Sequence, residues 1–169
     1  IENSAALRKQ TLNDMTKKLV LNTLIILSFF ALSFAYFVEF ILGHEPCNLC
    51  KIERIPYFGA LILSSLVLLF KKWEKKILLI ICLLFLFGTV ISVYHVGIEQ
   101  GIFSESILCE LGLNNKVNSP DELLKTLKNT PISCKDVSFT IFGFSLATFN
   151  ALISVVISCI LLRLIFKNE

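Results

Sequence analysis

Charge is what this sequence has least of. Asp, Glu, Lys and Arg make up 17% of its 169 residues, against about 25% in an ordinary soluble domain. Four stretches hold none of them: Leu19–Val38, Ile55–Phe70, Ile77–Ile98 and Val137–Leu162. With 55% hydrophobic residues, 15 of them phenylalanine, and a mean hydropathy of +0.76, the chain is too apolar for a soluble globular domain. No block of Lys and Arg with interleaved aromatics is present, which excludes nucleic acid as a partner. Position 51 is lysine rather than histidine, which excludes the C-x-x-C-H attachment of a c-type haem. One cysteine pair is short-spaced and no second one is, which argues against a zinc knuckle built on two such pairs. No internal repeat or low-complexity tract occurs.

What is present is apolar sequence in lengths that cross hydrocarbon. A span needs roughly 17–25 apolar residues, and in lipid every backbone amide must be satisfied within the helix. The expected fold class is therefore all-α: an integral membrane bundle of four transmembrane helices, with a short helix in the second loop outside the cytoplasm. The second run is the shortest. It is completed by starting its helix near Cys50 and letting Arg54 snorkel to the interface. Residues 19–166 form the membrane domain, with loops at about 43–54 and 99–136; 1–18 is an N-terminal segment and 167–169 a tail. Residues 1–14, ahead of the sole methionine Met15, are read as an extension or tag remnant. The first run exceeds the ~7–15-residue core of a cleaved signal peptide and is expected to be retained.

Loop cations set the orientation. Arg8, Lys9, Lys17, Lys18, Lys71, Lys72, Lys75, Lys76, Arg163 and Lys167 fall on the side of the termini; Lys51, Arg54, Lys116, Lys125, Lys128 and Lys135 fall opposite. The excess places both termini in the cytoplasm. In the long loop, Ser119-Pro120-Asp121-Glu122 reads as a helix start, with Ser119 as N-cap, Pro120 in first position and Glu122 closing a capping box.

The cysteines divide by this topology. Cys47, Cys50, Cys109 and Cys134 lie on the outer side, where disulfides persist. Cys82 and Cys159 lie within spans and read as small buried hydrophobes. Four cysteines allow three pairings; the obvious one is Cys47–Cys50 and Cys109–Cys134. A C-x-x-C ring is too small to staple well and suits redox exchange. Helix N-terminal amides, with Arg54 one turn on, favour a thiolate at Cys50. Cys109 and Cys134 are either a staple or an exchange pair open to another protein's thiolate. Zinc held by the four cysteines, with His44 and His95 nearby, is the competing use.

Arg54 is either a snorkelling interface residue or a donor to a carbonyl oxygen that gains charge on reduction. Glu39, Glu53 and Glu99 are expected to pair with Arg54 or face water. His95 follows Tyr94 at the outer end of the third span. It is either half of an interfacial pair or a donor near the same pocket.

The segments Pro46-Cys47-x-x-Cys50-x-x-Glu53-Arg54, Tyr94-His95-x-Gly97-x-Glu99-x-Gly101 followed by Cys109, and Cys134 with Gly143 and Asn150 resemble the bacterial disulfide bond formation protein B (DsbB) family. The resemblance covers roughly residues 19–166. It implies an inner-membrane, quinone-dependent protein dithiol oxidoreductase. In that relay a reduced thioredoxin-like periplasmic oxidase, DsbA, attacks at Cys109, Cys134 then attacks Cys47, and Cys50 is released beside a bound quinone. The implied cofactor is ubiquinone or menaquinone, contacted by Arg54, His95 and Cys50; the implied partners are a DsbA-like thioredoxin-fold protein, quinone and lipid. Phe139 stands where that family often has tryptophan. Two other readings compete: an enzyme like vitamin K epoxide reductase, whose loop cysteines precede its C-x-x-C, and a non-catalytic scaffold stapled by disulfides or holding a metal.

Overall fold

The structure is a computed structural model, and it describes residues 2–70, 73–104, 109, 133–135 and 139–166. The helix expected to start at Ser119 lies outside the described residues. Helix α1 runs Glu2–Phe40, α2 Asn48–Glu53, α3 Ile55–Leu69, α4 Glu74–Glu99 and α5 Leu146–Phe166. Strands β1 (Thr140–Ile141) and β2 (Phe144–Ser145) form a two-stranded antiparallel hairpin just before α5. Four stretches are long and apolar enough to cross a membrane: Thr11–Phe40, Asn48–Leu69, Glu74–Glu99 and Leu146–Phe166. The architecture is thus an all-α four-helix membrane bundle.

Each boundary has a local cause. Cys47 caps α2 with its sulfur, which accepts from the Cys50 amide at 3.2 Å. The second span is broken at Arg54 because Pro56 sits in the first turn of α3, and proline cannot extend the preceding amide ladder. The fourth helix begins later than the charge-free run at Val137 suggests. Phe142 at φ 52° and Gly143 at φ 83° form the tight turn of the hairpin, a left-handed pair that matches strand twist and that glycine accepts without strain. Absence of charge marked the run as apolar, not as helix.

Helix α4 packs most extensively on α5, α1 on α3, and α3 on α4. The shared core includes Leu24 of α1, Tyr57 and Ala60 of α3, Ile81 and Phe85 of α4, and Leu161 of α5. Serines 28, 64, 92, 154 and 158 are buried between helices, where small side chains let membrane helices approach closely. The outward faces carry large apolar residues, among them Phe29, Phe30, Phe37, Val90 and Leu152; a girdle of that extent suits lipid rather than water. At one end of the bundle Lys17 pairs with Glu74 at 2.9 Å. The other end gathers the site described next.

Cys82 is buried in the core, as its reading as a small hydrophobe requires. Cys159 is not: it is exposed on the outer face of α5, where a thiol is apolar enough to face acyl chains.

Candidate functional site

The first turn of the second span, the last turns of α4 and the segments at 109 and 133–135 converge on one apolar cluster. Cys47, Leu49, Ile98, Cys109 and Cys134 are its buried members, with Cys50, Ile52, Ile91 and Tyr94 packed against them. Asn48 ties it together by donating from Nδ2 to the Cys109 carbonyl at 3.0 Å. The end of α4 is shaped for this role. The Phe103 ring lies over Gly97, where a Cβ would stand 2.3 Å from Phe103 Cδ2, and Phe103 meets the Tyr94 ring. The glycine and tyrosine of the Tyr94–Gly101 segment thus build a folded-back tail beside His95.

The four sulfurs form a row. Cys47 donates to Cys50 Sγ at 2.8 Å. Cys134 is hydrogen-bonded to Cys47, and Cys109 to Cys134. The spatial order is Cys109, Cys134, Cys47, Cys50. The Cys134 thiol is pushed well up from its ordinary value, first by its hydrogen bond to Cys47 and then by burial. For Cys47 the largest influence, the hydrogen bond from Cys134, favours the thiolate; donation to Cys50 and burial outweigh it, so this thiol too is pushed up. The helix-start amide goes to Cys47, the capping residue, rather than to Cys50, and burial opposes charge on it. Nor do Cys109 and Cys134 stand open on a polar loop: both are buried, so an incoming thiolate needs the cover over them displaced.

At Cys50 the row meets a cavity of about 340 Å³. Leu32, Phe34 and Val38 of α1 and Ala147, Phe149 and Ile153 of α5 give it apolar walls. Its polar side is formed by Cys50, Glu53, Arg54, Tyr57 and Asn150; His44 and Phe139 also line it, their rings 5.4 Å apart. Size and lining match a site for a flat, mostly apolar molecule with a few oriented polar groups.

Arg54 donates to Glu39 at 2.5 Å and lies 4.9 Å from the Tyr36 ring centre. It is neither free nor snorkelling outward; it is aimed along the cavity wall. Of the three glutamates expected to serve Arg54 or face water, only Glu39 does. Glu53 is buried, with Oε1 2.9 Å from His95 Nδ1 and Oε2 accepting from Asn150 at 2.9 Å. Glu99 accepts from Ser145 at 2.5 Å and lies 3.8 Å from His95 Nε2. His95 is buried and presents Nε2 to Cys47 Sγ at 3.5 Å. It does not line the cavity; Glu53 stands between.

Asn150 is the hub. It accepts from the Tyr57 hydroxyl at 2.5 Å and donates to Glu53 and, at 2.7 Å, to Ser92. In the sequence Asn150 enters only through the family resemblance, which gives it no role. The usable signal was an amide alone in an apolar span, which must find partners inside the bundle.

The donors of Cys47, Cys50 and His95 lie within 4.8 Å of one another, the spacing of a candidate metal trio. The 2.8 Å between the two sulfurs is short of the ~3.8 Å that two thiolates adopt on one tetrahedral zinc at 2.3 Å each. It is the approach of two sulfurs about to exchange or bond.

Comparison with known proteins agrees with this geometry. The family model described as disulfide bond formation protein DsbB matches residues 17–164. The uncharacterized protein RP370 of Rickettsia prowazekii (strain Madrid E) is 32% identical over 148 residues, 86% of this chain and 84% of that protein. No solved structure matches.

Proposed function

The chain belongs to the DsbB family and is a multi-pass membrane disulfide oxidoreductase; from that premise we propose that it reoxidises a DsbA-like thioredoxin-fold protein and passes the electrons to a membrane quinone, ubiquinone or menaquinone. The observation that carries this reading is the row of four touching sulfurs ending at the cavity wall.

Each residue then has a task. A partner thiolate attacks Cys109 of a Cys109–Cys134 disulfide. Cys134, released, lies against Cys47 and attacks it, which frees Cys50 at the cavity. Exchange of this kind needs the incoming sulfur in line and in contact. The bound quinone supplies a two-electron acceptor. The apolar walls hold its ring and exclude water. The Arg54 guanidinium, braced by Glu39 and Tyr36, is positioned to stabilise charge on a carbonyl oxygen. Residues 19–166 make the membrane domain of a bacterial inner-membrane protein, with both termini cytoplasmic and the sulfur row periplasmic; the cation excess on the side of the termini supports that orientation.

The test uses purified protein with a reduced thioredoxin-fold dithiol and a quinone. Loss of quinone absorbance in step with dithiol oxidation is expected, and Cys50→Ala abolishes it. Arg54→Ala should raise the KM for quinone about 10-fold or more, the share of a lost charge-assisted hydrogen bond of ~1.5–3 kcal/mol, and leave the KM for the dithiol unchanged. A Cys50→Ala protein that still couples the two reactions would sink the reading. Trapping a partner on Cys109 with Cys134→Ser identifies the protein that docks.

A further inference from the structure

We propose that Glu53 and His95 form a proton relay from the Cys47 sulfur to the cavity, with Glu53 as the group that exchanges the proton with the cavity's occupant. The identity of that occupant rests on the quinone reading above; the relay itself rests on geometry.

Cys47 and Cys50 differ in their access to the cavity. Cys50 lines it, whereas Cys47 is 4% exposed and does not. When the pair closes to a disulfide with a quinone as acceptor, two electrons and two protons must leave two thiols and arrive on the acceptor's two oxygens. The Cys50 proton has a direct way out. The Cys47 proton has His95 Nε2 at 3.5 Å. Nδ1 of the same ring is 2.9 Å from Glu53 Oε1, and Glu53 is on the cavity wall. As the sulfur–sulfur bond forms and the Cys47 S–H bond breaks, Nε2 takes that proton. Nδ1 gives its own to Oε1, and the carboxyl delivers it to an acceptor oxygen in the cavity.

The surroundings fix this direction. A carboxylate facing Nδ1 attracts the ring's proton to that side, which is the tautomer in which Nε2 accepts. The adjacent cation, Arg54, is engaged by Glu39, so Glu53 is left to His95 and Asn150. The titratable groups facing His95 are Cys47, Glu53, Cys50 within 4.8 Å and, at 3.8 Å, Glu99, which Ser145 already occupies. Those facing Cys47 are Cys50, Cys134 and His95. Those near Glu53 are His95, Tyr57 and Glu99, with Asn150 as its neutral anchor.

The test uses Glu53→Gln and Glu53→Asp in the full-length protein, each checked by its thermal midpoint. General acid–base steps contribute about 10²–10⁴-fold, so Glu53→Gln should slow quinone reduction at least 100-fold and change its pH profile, and Glu53→Asp should restore part of the rate. Formation of the mixed disulfide between a dithiol partner and quinone-free, oxidised protein should stay within about 3-fold of the parent, since that exchange occurs at Cys109 and moves no proton at Cys47. A spectroscopic signature is independent of turnover: infrared difference spectra on reducing Cys47–Cys50 should contain a protonated-carboxyl band that Glu53→Gln removes. A Glu53→Gln protein with an unchanged pH profile and rate, or a band that survives the substitution, overturns the relay. If the parent reduces no quinone, the functional reading fails, and the infrared band still decides the relay.

Discussion

Replacing Asn150 with alanine should loosen the site end of the bundle and the cavity together. The side chain makes three hydrogen bonds, to the Tyr57 hydroxyl, Glu53 Oε2 and Ser92 Oγ. Interhelical hydrogen bonds between neutral groups in membranes average ~0.6 kcal/mol, and one to a charged group contributes ~1.5–3 kcal/mol. Two of the first kind and one of the second give a loss of ~3–4 kcal/mol. Ser92 keeps its bond to the Gly88 carbonyl at 2.8 Å, so most of the loss falls on Glu53 and Tyr57. Equilibrium unfolding of purified protein in mixed micelles measures it. Tyr57→Phe, alone and with Asn150→Ala, completes a cycle whose coupling should be ~0.6 kcal/mol or more. A loss below ~1 kcal/mol for Asn150→Ala, with no coupling to Tyr57, would refute the hub assignment.

Gly97→Ala should cost ~1–3 kcal/mol by overpacking, because the new Cβ meets the Phe103 ring; an unchanged melting midpoint would show that the tail of α4 yields freely. A membrane-permeant maleimide should label Cys159 and spare Cys82, given their opposite exposure, and Cys82→Ser and Cys159→Ser should both leave turnover intact. Stability of the reduced protein should depend on pH through Cys47 and Cys134. Both thiols are raised above their ordinary value of 9.0 in the fold, so the fold favours their protonated forms. That contribution is complete below about pH 9 and is lost as pH rises beyond it. Melting midpoints of reduced protein should fall from about pH 9 upward, relative to oxidised protein, which lacks these titrations. Parallel curves for the two forms would remove the inferred thiol contacts.

How much of this the sequence disclosed depended on the kind of signal. Scarcity of charge located all four spans, because desolvating an ion in hydrocarbon is the strongest constraint a membrane places on sequence. It failed at the start of α5, where Phe139, Phe142 and Phe144 are as apolar as a span but sit on or beside a hairpin; Gly143 was the cue to a turn. The C-x-x-C and its neighbours were legible because their spacing is short. Glu53 was expected, with Glu39 and Glu99, to pair with Arg54 or face water; instead it is buried, and adjacent helical residues such as Glu53 and Arg54 point apart. Its actual partners, His95 and Asn150, lie 42 and 97 positions away. The burial of Cys109 and Cys134 was equally hidden, since they pack against Cys47, Leu49 and Ile98, which are distant in sequence.

A row of touching sulfurs has no ratchet. Passing a disulfide from one neighbour to the next exchanges like bonds for like, so no hop along Cys109, Cys134, Cys47 and Cys50 is irreversible in itself. On the proposed reading, traffic is governed by the potentials of whatever waits at either end, and a membrane loaded with quinol would drive the same row in reverse and turn an oxidase of its partner into a reductase.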